Sequence, residues 1–185
     1  MNKGRQTNGM LYFFSALLFV VLTTGNWSCG SGTEPAFFVD LDREFDIPVG
    51  LNTIETHIFQ LRNVPNFLES GLIGAGVSRE EITSIGPADA RIVSAFGAID
   101  WSFVSWVEIY AISRQDQSLR QRIFCIDSPD FNNRNEVLLF NTFADMKEIF
   151  EEDTFDLEVR LRFRTFVPTN IPARIEFNYA VFNQE

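Results

Sequence analysis

Histidine occurs once in the 185 residues, at His57, and cysteine twice, at Cys29 and Cys125. One imidazole and two distant thiols do not make a Cys/His zinc site, and no HExxH spacing is present. A Ser-His-Asp triad would have to use His57, and no GxSxG turn accompanies it. His57 therefore reads as a structural residue in a strand, and neither a metal nor a cofactor is expected. Basic residues are also scarce, at 15 Lys and Arg against 25 Asp and Glu, a net charge of −10. A surface of that sign repels phosphate backbones, so no nucleic acid is expected as a partner. Gly71, Gly74 and Gly76 are followed by neither Lys-Ser/Thr nor a βαβ pattern, which removes a phosphate loop. The longest apolar run, Met10 to Leu22, falls short of the roughly 20 residues a membrane span needs.

That run sits behind Lys3 and Arg5 and ahead of Thr23-Thr24-Gly25, the order of a cleavable export signal. Ser28-Cys29-Gly30 ends it. The segment resembles a bacterial lipoprotein signal, in which a small residue precedes a Cys that becomes the new, lipid-modified N-terminus. Asn26 and Trp27 stand where that signal usually has Leu and a small residue. The resemblance implies a signal peptide over residues 1–28, lipidation of Cys29 and a membrane as partner through that lipid. At ~0.8 kcal/mol per buried CH2, several acyl chains make such an anchor permanent. Ordinary signal-peptidase cleavage is the alternative, and it leaves Cys29 a plain thiol that could bridge to Cys125. Residues 29–36 read as the anchored Cys and a small, polar tether carrying Gly30, Gly32 and Pro35.

From Phe37 the apolar period is two. Phe37, Val39, Leu41, Phe45 and Ile47 alternate with Phe38, Asp40, Asp42, Glu44 and Asp46, the pattern of a half-buried strand. Further strands are expected over 53–61, 82–85, 90–96, 101–112, 122–126 and 136–140, with a loop and one helical turn over 66–80. Thr142, Asp145 and a stripe of Phe143, Met146, Ile149 and Phe150 predict one short α-helix. Residues 155–164 and 173–181 alternate cleanly, and the turn between them predicts a hairpin with Phe163 opposite Phe177, Leu161 opposite Tyr179 and Arg164 opposite Glu176. Many strands and one helix predict an all-β fold over residues 37–185, an antiparallel β-sandwich of immunoglobulin-like or jelly-roll-like form.

Two constellations carry chemistry. Asp40, Asp42, Glu44 and Asp46 repeat along one strand face without the turns of an EF-hand, so they read as a solvated face that keeps an edge strand from pairing further. Trp106, Glu108 and Tyr110 share one side of their strand, where on a solvent-facing sheet they form a candidate ligand platform, two rings to stack on a sugar and a carboxylate for its hydroxyls; Val104 and Ile112 on the same side favour the simpler reading of a second buried face in a central strand. Cys125, in Ile123-Phe124-Cys125-Ile126, reads as a buried small hydrophobe. The signal and the twenty Phe also resemble the style of small β-sandwich lipoproteins of Bacteroidota. The resulting expectation is a noncatalytic protein, lipid-anchored at the cell envelope, on the outer membrane, binding or supporting an envelope protein; a carbohydrate-binding module is the alternative.

Overall fold

The computed structural model describes residues 34–129 and 135–184. Cys29 and most of the tether lie outside the described residues. Eight strands follow in chain order: β1 (Phe37–Ile47), β2 (His57–Pro65), β3 (Ile82–Ser94), β4 (Val104–Ile112), β5 (Arg120–Asp127), β6 (Glu136–Asn141), β7 (Thr154–Phe163) and β8 (Ile171–Asn183). All pairings between them are antiparallel, in the spatial order β1-β8-β3-β6-β5-β4-β7-β2. The fold is thus all-β, as the alternation requires. Only two residue pairs, Phe124 with Asn141 and Cys125 with Phe140, join β5 to β6, so the order divides into two four-stranded halves. The two ends approach each other across the interior, where the Phe45 and Phe59 rings lie 5.3 Å apart. This brings the sheet close to a barrel. Phe124 meets Phe177 at 6.1 Å between the halves, and Phe150 touches both Phe155 and Tyr179 at 4.8 Å.

The hairpin expected from residues 155–181 does not form. β7 pairs with β4 and β2, whereas β8 pairs with β1 and β3. Phe163 stands opposite Val104, Tyr179 opposite Val39 and Pro87, and Glu176 opposite Asp42 and Arg91. The connecting segment instead crosses from one half to the other. Arg164 N donates to Phe103 O at 2.7 Å, and Gly50 N donates to Val167 O at 3.0 Å, with Val167 buried. Alternation fixes which face is apolar, and both strands keep that face inward; it does not choose the neighbour.

The expected helix over 142–150 is also absent. Met146 N donates to Ile85 O at 2.7 Å, and Asp145 Oδ1 accepts from Ile85 N at 3.0 Å, so this segment gives its backbone bonds to β3. Only Ile149–Glu151 winds into a 3-10 turn. Met146, Ile149 and Phe150 are buried as the stripe requires, but Phe143 is fully exposed. Among the described residues an α-helix lies elsewhere, at α1 (Leu68–Ala75), where a loop with one helical turn was expected. Asn66 Oδ1 accepts from Leu68 N at 2.9 Å, Leu68 and Leu72 are buried one turn apart, and Gly76 ends the helix at φ 69°. Gly71 faces Phe37 so closely that an added Cβ would lie 2.5 Å from the ring.

Other boundaries move for local reasons. β2 starts at His57 and not at Thr53, because Asn52 Oδ1 accepts from Ile54 N at 3.0 Å and Glu55 N at 2.9 Å and holds a turn. The two short strands expected at 82–85 and 90–96 are one strand, β3, with an irregularity between Pro87 and Ala90. A capping box does occur, at Ser78 and Glu81, ahead of β3.

Candidate functional site

Two outer sheet faces carry the polar chemistry. On β4, Val107, Ile109 and Ala111 point into the core with no exposed surface, which turns Trp106, Glu108 and Tyr110 outward. The structure therefore places the three expected platform residues together on one face, with Glu108 buried and both rings half-buried. β5 and β7 then supply arginines from either side. The Arg120 and Arg160 guanidiniums lie over the Tyr110 ring at 4.2 and 4.9 Å, and Arg162 lies over Trp106 at 5.0 Å. Tyr110 donates to Glu108 Oε2 at 2.7 Å, and Arg122 donates to Glu108 Oε1 at 2.6 Å. Glu158, also buried, accepts from Arg160 Nε at 2.6 Å and from Arg120. These contacts occupy the ring faces a sugar would need, so the cluster acts first as a polar clasp across three strands.

Ionisation follows from the same contacts. Burial, then the bond to Glu108, holds the Tyr110 hydroxyl above its ordinary value. Burial would raise the Glu158 carboxyl, but the bonds from Arg160 and Arg120 outweigh it and the net shift is downward. Cys125 lies on this face opposite Glu108, half-buried and free, because a bulge at Ile123 sends Phe124 into the core in its place. His57 donates from Nε2 to Asn52 O at 2.9 Å and stacks on Phe163 at 5.3 Å, contacts that tie its ring to the turn before β2 and to the core.

The other face, on β1, β8, β3 and β6, forms an open groove of about 810 Å³. Asp40 and Asp42 from β1, Arg174, Glu176 and Asn178 from β8, Asp89 and Arg91 from β3, and Leu138 and Phe140 from β6 line it. The arginines are already held: Arg91 reaches Glu176 at 2.8 Å and Glu136 at 3.3 Å, and Arg174 lies 3.8 Å from Glu176. The Glu176 bond holds the Arg91 guanidinium above its ordinary value. Phe140 is 70% and Leu138 54% exposed, on the wall facing the β1 carboxylates. Sequence reading found the Asp40 and Asp42 ladder but gave it no groove. The strands that complete the site lie far away in the chain, and their neighbours are fixed by pairing alone. Among the described residues no group of three or more His, Cys, Asp or Glu is placed to hold a metal ion.

The fold and its two faces define an antiparallel all-β protein with an open lateral groove. No protein-family description matches the chain, and no curated protein matches it. Among solved structures, a chain titled Desmodium yellow mottle tymovirus is similar at 14% identity and a TM-score of 0.27, over 83% of this chain and 91% of that one. A likeness of that extent carries no functional argument. No helix among the described residues is long and apolar enough to cross a membrane.

Proposed function

We propose that this chain is an exported, lipid-anchored, noncatalytic β-sandwich that holds a partner at the cell envelope. The export signal ending at Cys29 supports the address. Nested pairing of β1 with β8, β2 with β7, β3 with β6 and β4 with β5 supports a jelly roll, in which one long antiparallel ribbon wraps into two facing sheets. The observation that carries the binding role is the groove. Its volume of about 810 Å³ lies within the range of ligand pockets, and it combines an exposed apolar wall with carboxylates on the opposite side. Such a surface suits holding a ligand. A carbohydrate-binding role at Trp106, Glu108 and Tyr110 has less support, since the arginines already cover those rings.

Detergent phase partitioning of the full chain, produced in an export-competent bacterium, tests the anchor. The wild type is expected in the detergent phase and Cys29→Ala in the aqueous phase. Equal partitioning of the two rules out the lipid.

A further inference from the structure

We infer that the groove on the outer face of β1, β8, β3 and β6 binds an extended basic peptide segment with apolar residues between its Lys or Arg side chains. This rests on the groove's proposed role as the binding surface and adds the chemical class of its occupant.

Charge is the first argument. The lining holds four acidic side chains, Asp40, Asp42, Asp89 and Glu176, against two basic ones, Arg91 and Arg174. Glu176 and Glu136 already engage Arg91, while the carboxylates of Asp40, Asp42 and Asp89 take no hydrogen bond or ion pair among the described residues. The ladder adds a conflict. Asp42 stands directly opposite Glu176 across β1 and β8, and like charges so placed repel. A cation laid between them relieves the repulsion.

Shape and spacing narrow the class. From β1 to β6 the groove crosses three strand spacings, about 14 Å, or roughly four residues of extended chain. Its carboxylates are spread over β1 and β3 and do not converge on a point, which suits several cations on one chain better than a single amine. Leu138 and Phe140 offer the far wall to apolar side chains, and Phe38, 56% exposed, continues the outward row of Asp40 and Asp42. A neutral glycan would desolvate three carboxylates without neutralising them, a cost that a basic peptide avoids.

The test is fluorescence anisotropy of the full-length protein in neutral detergent with labelled octapeptides of alternating Lys and Leu or alternating Glu and Leu. The Lys-Leu peptide is expected to bind at least tenfold more tightly than the Glu-Leu peptide, with affinity falling as salt rises. The double variant Asp40→Asn, Asp42→Asn, with folding verified by circular dichroism, is expected to lose at least tenfold. Phe140→Ser is expected to weaken binding without changing the salt slope. Equal affinity for the two peptides, or an unchanged double variant, overturns the inference. Binding of chitohexaose that depends on Phe140 and not on Asp40 or Asp42 overturns the ligand class while leaving the groove as the binding surface. No binding of any probe overturns both, and the partitioning of the Cys29 variant is independent of all these outcomes.

Discussion

Tyr110 donates its hydroxyl to Glu108 Oε2 at 2.7 Å, two residues away on the same strand, and the pair anchors the polar clasp that links β5, β4 and β7. Tyr110→Phe removes one of two bonds to a buried carboxylate. The expected loss is about 1–3 kcal/mol of unfolding free energy, read from urea denaturation. An unchanged midpoint would show the bond to be idle.

Acid acts on the neighbouring carboxylate. Glu158 is held below its ordinary value of 4.5, so its contribution is present above that pH and fades as pH falls through the folded value. Melting temperature is expected to drop below about pH 4.5, and Glu158→Gln is expected to flatten that part of the profile. Parallel profiles for wild type and variant would assign the acid limb to other groups.

Alkali acts in the core. Burial pushes the Tyr179 hydroxyl above its ordinary 10.0, where it donates to Asn66 O at 2.5 Å. Its stabilisation is complete below pH 10 and is lost as pH rises through the folded value. Unfolding on an alkaline titration should therefore begin above pH 10, and Tyr179→Phe, less stable at neutral pH, should show a shallower alkaline limb.

Asp42 and Glu176 offer a change in the opposite direction. Because they face each other as like charges, Asp42→Asn is expected to stabilise the free protein by roughly 0.2–1 kcal/mol. Glu176→Gln should not match it, since that change also weakens the ion pair to Arg91. A destabilised Asp42→Asn would mean that the opposition is already relieved in the free protein.

Much of this architecture was legible in the chain. Alternation in residues 37–47, 155–163 and 173–181, broken only at Phe38, Arg43 and Ala180, identified the inward faces, and the Asp40 to Asp46 row did mark an edge strand. Partners were not legible, because a clean apolar face on β7 and on β8 satisfies a hairpin and the observed pairing of each with other strands equally well. The helix was misplaced for a related reason. The Met146, Ile149 and Phe150 stripe is buried, yet Ile85 takes the segment's backbone bonds, while α1 hid behind Gly71 and Gly74. For the site, Trp106, Glu108 and Tyr110 could be read as sharing one side of their strand, but Val104 and Ile112 on that side favoured a buried face, and the arginines over the rings come from other strands. The groove needed four strands whose adjacency only the folded chain supplies.

Intact-mass analysis of the protein purified from membranes tests the central claim most directly. An N-terminus beginning at Cys29 and carrying a thioether-linked diacylglycerol is the predicted result. A chain that retains residues 1–28, or that begins at an unmodified Cys29, would contradict it.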